Sequence, residues 1–168
     1  MRFVMSGSCA SHIQRKRENL FLTAGGFTLI EVCMVVAIIG TLAAIAIPSM
    51  FHYIHKARVA RTIAELQSIE HSLISYSLSN GGFPESLEPI GCAGMTDCWG
   101  NPYQYTRVAG NPPGKLRKDK SMVPVNTDFD LYSKGKDGKS VSPFTAKASR
   151  DDVVRANNGG YFGLVSMY

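Results

Sequence analysis

The sequence predicts an α+β chain: one long N-terminal α-helix, transmembrane over its first half, packed on a small antiparallel sheet with a C-terminal loop region. Three observations carry this. From Phe27 to Ile47 there are 21 residues whose single charge is Glu31. Beyond Pro48 the residues Ile63, Leu66, Ile69, Leu73 and Tyr76 recur at intervals of 3, 3, 4 and 3, the spacing of one helical face. After Gly81 and Gly82 the chain turns to Gly- and Pro-rich stretches broken by short strand-like runs.

Residues 1–26 precede the apolar run. A secretory signal peptide ends its apolar region with a small-residue cleavage motif. Here the small residues, "TAGG", come first, so a cut after Gly26 leaves the apolar helix at the new N-terminus. Residues 27–47 would extend about 31 Å as a helix, close to a hydrocarbon thickness. Pro48 lacks the donor for an i to i−4 bond and predicts a kink or a loosened turn. Residues 48–80 resume as the amphipathic half of the helix, and the two glycines end it. His52 and His55 lie three apart, with Lys56, Arg58 and Arg61 following. They read as a solvated collar facing lipid headgroups, because no third ligand is near in sequence. Residues 81–168 form the globular head, with strand-like runs at Tyr103–Val108 and Asp128–Ser133.

The net charge of +5 is uneven. Residues 1–26 hold four basic residues against Glu18, and the remainder is left at a net +2, too mild to argue a nucleic-acid partner. The loop "AGNPPGKLRKDKSMVP" groups Lys115, Arg117, Lys118 and Lys120. With no aromatic among its charges, it reads as a solvated insertion. Cys92 and Cys98 lie close together in the turn-rich "GCAGMTDCWG" and predict a disulfide; the alternative is two buried free thiols. Zinc would need two further ligands, and no histidine follows His71. Basic residues flank the span on both sides, Arg15 to Arg17 before and Lys56 to Arg61 after, so charge alone does not orient it. A disulfide would place the head on the oxidising side.

The stretch "GGFTLIEVCMVVAIIGTLAAIAIP" resembles the class III signal of type IV pilins and type II secretion pseudopilins. The matching positions are Gly26 before the cut, Phe27 as the new terminus, Glu31 fifth after it and Pro48 at the end of the span. The resemblance implies that residues 1–26 are a leader, longer than is usual for pseudopilins so that Met5 is an alternative start to Met1, cleaved after Gly26 by a prepilin peptidase that also methylates the new amine. It implies a bacterial inner-membrane protein with a single span and a periplasmic head, which assembles with its own copies and other pseudopilins on an inner-membrane platform. A lone carboxylate in hydrocarbon costs about 2 to 4 kcal/mol. The freed amine of Phe27, on the same chain or on a neighbour in the filament, would pair with Glu31.

"WGNPYQY" and then "DFDLYSKGKDG" resemble the head of the major pseudopilin, with Cys98 where that family usually has proline. There a loop of the form S-x-G-x-D-G and a later Asp bind calcium. Carried over by position, the ligands are the side chains of Asp137 and Asp151, with Asp152 a third and the carbonyl of Lys134 a backbone ligand. The spacer before the second Asp is longer than the family's, and "VVRANNGGYFG" replaces the usual run to a tryptophan. Without calcium, Asp137 would set a turn, and Asp151 and Asp152 would cap a short helix near Val153.

The leading function is thus a structural subunit of a periplasmic filament for protein export. A minor type IV pilin for adhesion, motility or DNA uptake is the alternative. A signal-anchored periplasmic enzyme finds no Ser-His-Asp or metallohydrolase constellation in a head without histidine, so no catalytic residue is assigned.

Overall fold

A computed structural model describes residues 26–120 and 122–168. The leader up to residue 25, with Cys9 and both candidate start methionines, lies outside them. The chain divides into two compact units, Met1–Ala43 and Ala44–Tyr168.

Helix α1 spans Leu29–Asn80, 52 residues, and runs unbroken through Pro48. The missing proline N–H removes one hydrogen bond without ending the helix. Gly81, at φ +73°, ends α1 and donates its N–H to Ser77 O at 2.9 Å, a left-handed stop that glycine adopts without a Cβ clash. The expected stripe is the buried one: Leu66, Ile69 and Leu73 are fully covered, as is Thr62, while Ile63 and Tyr76 are half-buried.

The sheet has four strands: β1 Gln104–Arg107, β2 Phe129–Ser133, β3 Val153–Ala156 and β4 Tyr161–Leu164. They pair in chain order, each antiparallel to the next. The first two fall where the strand-like runs predict them. β3 and β4 replace the short helix considered near Val153.

The register sorts side chains to two faces. Phe129, Leu131 and Val153 join Leu66, Ile69, Leu73, Leu87 and Tyr103 in one core under the helix. Val154 and Ala156 face away, into a second cluster with Val125, Phe144 and Val165. Both faces of β3 are therefore covered, which is why all four of its residues are buried and why "VVRA" shows no apolar–polar alternation.

Candidate functional site: the helix start and the loops of the head

Gly26 is exposed, Phe27 is 79% exposed, and a Cβ added at Gly26 would meet nothing within 4 Å. The helix opens with Thr28, whose Oγ1 accepts the N–H of Glu31 at 3.2 Å. Thr-Leu-Ile-Glu has the spacing of a capping box, which satisfies an otherwise unpaired first-turn donor and sets a carboxylate at the positive end of the helix. That cap was legible in the sequence as a threonine three residues before a glutamate, just ahead of an apolar run. Beyond it Leu29, Ile30, Val32, Met34, Val35, Val36, Ile38 and Ile39 are all exposed. A helix apolar on every side needs lipid or other helices around it. Glu31, also exposed, lies in the first turn of the helix, four residues after Phe27, which precedes the helix. The helix is long and apolar enough to cross a membrane, and the subunit is membrane-anchored.

In the head, Cys92 and Cys98 are both free thiols. The expected disulfide is not formed in this structure, and Cys92 Sγ lies 3.6 Å from the Ile90 carbonyl it donates to. Asp97 holds the loop instead. Its Oδ1 accepts the N–H groups of Trp99 and Asn101 at 2.9 and 2.8 Å, and its Oδ2 accepts the Ser133 hydroxyl at 2.5 Å. A buried carboxylate that collects donors from two segments pins the loop to β2 without a covalent link. Trp99 is half-buried against the helix core, near His55, whose ring centroid lies 6.3 Å away. His52 is exposed.

The loop expected to bind calcium comes together only in part. Lys134 follows β2 directly, and Gly135, at φ +64°, approaches Asp151 so closely that a Cβ would overlap the Asp151 carbonyl. Only glycine fits there. Asp137 donates its N–H to Asp151 Oδ2 at 3.0 Å and accepts the Lys139 N–H on Oδ1 at 2.8 Å. Asp137 and Asp151 thus converge, as a turn and its carboxylate cap. Asp152 does not join them: it is fully buried, and its Oδ2 accepts from Arg117 Nη2 at 2.7 Å and from Ser140 Oγ at 2.5 Å. Among the described residues no three His, Cys, Asp or Glu side chains gather as a metal group. Of the expected calcium ligands, Asp137 and Asp151 therefore stand together, while Asp152 is held apart by Arg117 and Ser140.

Arg117 corrects the reading of its loop as a solvated insertion. It is 4% exposed, and Leu116 beside it is buried. A second arginine, Arg155, is 3% exposed and joins the helix to the sheet through Glu70 Oε1 at 2.6 Å and Asp128 Oδ2 at 2.6 Å. Neither partner was visible in the sequence, because Glu70 lies 85 residues away and Asp128 lies 27 away.

Burial pushes the Asp152 carboxyl up to about 6, against the opposing pull of Ser140 and Arg117. It also raises Asp130, which accepts from the Arg117 backbone N–H at 2.6 Å and from Asn126 Nδ2 at 2.9 Å. An acid whose folded pKa exceeds its unfolded value binds protons preferentially in the native state. That stabilising contribution is complete below the ordinary carboxylate range, about 4, and is lost as pH rises through the folded value. The melting temperature of the full chain in detergent should accordingly rise between about pH 7 and about pH 5. A fall across that interval would count against this view of Asp130 and Asp152.

The family model for type II secretion system protein G matches residues 49–147. The chain is 31% identical over 139 residues to a fimbrial protein of Neisseria meningitidis, covering 79% of each chain. It is 31% identical over 148 residues to the type II secretion system core protein G of Pseudomonas aeruginosa, covering 76% of this chain and 89% of that one. With the type IV major pilin protein PilE of Neisseria gonorrhoeae it shares 29% identity over 149 residues, 83% of this chain and 87% of the relative. No solved structure matches. With its 52-residue helix, apolar at the start, and its four-stranded antiparallel sheet, the chain belongs to the type IV pilin and type II secretion pseudopilin family as a pilin-like filament subunit.

Proposed function

We propose that this subunit works as a pseudopilin. A prepilin peptidase cleaves it between Gly26 and Phe27 and methylates the new amine. The helix holds it in the bacterial inner membrane with the head in the periplasm. It then polymerises, with its own copies and other pseudopilins, on an inner-membrane assembly platform into a periplasmic filament that drives protein export. It has no catalytic task. The observation that carries this reading is the uncovered apolar helix start, with Glu31 in its first turn. Lipid covers that surface before assembly and neighbouring helices cover it afterwards, and Glu31 meets a neighbour's amine. The fimbrial and type IV pilin relatives support a second reading, a type IV pilin instead of a pseudopilin.

Cells lacking the chain, complemented with the parent or with Glu31→Val, separate the two. Removing a charge from hydrocarbon leaves membrane insertion at least as efficient, while filament yield falls and exported proteins accumulate in the periplasm. Normal export in the deletion strain with loss of surface pili would favour the pilin reading. Wild-type filament yield from Glu31→Val would overturn the assembly role of Glu31.

A further inference from the structure

We propose that the guanidinium of Arg117 is the structural cation of the C-terminal loop, so that the head is held together without a divalent metal. Arg117 Nη1 donates to Ser140 Oγ at 2.6 Å and to Val141 O at 2.7 Å, and Nη2 donates to Asp152 Oδ2 at 2.7 Å. A hydroxyl, a backbone carbonyl and a carboxylate are the oxygen types a hard cation gathers. Here they come from residues 140, 141 and 152, the two arms of the loop that also carries Asp137 and Asp151. A planar guanidinium suits this better than a point charge, because its donors diverge at fixed angles.

The rest of the residue is equally committed. Its carbon Cζ lies 4.3 Å from the centroid of the Tyr132 ring and 5.0 Å from that of Phe144. Two aromatic faces hold the cation and exclude water from it. Its backbone N–H goes to Asp130 Oδ2, and its carbonyl accepts from Val125 N–H at 3.0 Å. Lys118, the next residue, accepts the Phe144 N–H at 2.9 Å and donates to Ser142 O at 3.1 Å. Arg117 therefore enters on a segment stitched to the loop it organises. Asp152 Oδ1 and Arg117 Nε are buried without a partner. A divalent ion at Asp152 Oδ1 would sit beside a guanidinium of like charge, which disfavours it.

Thermal melts of the full chain in detergent test this, with calcium and with chelator. For the parent, the melting temperature should be the same in both. A rise with calcium would overturn the proposal and restore a metal to the loop. In Arg117→Met a buried carboxylate loses its cation, and the melting temperature should drop by roughly 10 °C. Adding Asp152→Asn to Arg117→Met should recover part of that drop, because the stranded charge is gone. An Arg117→Met chain that melts like the parent, or a double variant no better than the single, would also overturn it. If Arg117→Met does not fold at all, the parent's response to calcium and chelator still decides the matter.

Discussion

Gly26→Val is expected to leave the chain in the membrane at its full length, with the leader uncleaved and no filament formed. The effect should be close to all or none. In the folded subunit Gly26 is exposed, and a side chain there meets no neighbour within 4 Å. Valine therefore costs the fold nothing, and a loss of cleavage would act through the proposed peptidase, which must bring the Gly26–Phe27 bond into its site. A retained leader would also remove the free amine of Phe27, the partner proposed for Glu31. It replaces that amine with a peptide bond inside a segment that carries Arg15, Lys16 and Arg17. Mass spectrometry of the N-terminus reads the outcome directly. A mature N-terminus at Phe27 in the Gly26→Val chain would refute the assignment of the cleavage site.

Arg155→Met should destabilise the head by about 3 kcal/mol. The guanidinium donates to Glu70 Oε1 from Nε at 2.6 Å, to both Asp128 oxygens at 2.8 and 2.6 Å, and to Phe129 O at 3.1 Å. Its carbon Cζ lies 4.0 Å from the centroid of the Phe129 ring in the core. Methionine fills the volume and strands two carboxylates, one on α1 and one just before β2. Because the side chains of Glu70 and Asp128 keep 13% and 22% of their exposure, water recovers some of the loss, which sets the cost at the lower end of the range for a broken buried pair. The melting temperature should fall by about 10 °C. Arg155→Lys should fall between the two, since one ammonium does not reproduce the fork that serves both carboxylates. A melting temperature for Arg155→Met within about 2 °C of the parent would show that the pairs contribute little.

The helix was legible because its signals are local. Leu66, Ile69 and Leu73 repeat with the helical period, and Gly81 follows where the chain must turn left-handed. β1 and β2 were legible for a similar reason, since each stands apart among turn residues. β3 and β4 were not. Packing on both faces removes the alternation that announces a strand, and the connection between them runs through Asn157 and Asn158, at φ +54° and +53°, and then Gly159, a turn whose residues equally suit a loop.

The chemistry divides along the same line. The span, the lone Glu31 and the amphipathic stripe are properties of neighbouring residues, so the order of amino acids alone determined them. Which charges are free and which are spent internally was decided only by tertiary structure. Asp152 looked like a metal ligand beside Asp151, and Arg117 looked like a solvated cation beside Lys118. They lie 35 residues apart and meet at 2.7 Å inside the head. A charge in a sequence carries no record of the partner that desolvation will force on it. Only the closing of the sheet brings the two into one low-dielectric site, where an unpaired charge is too costly to persist.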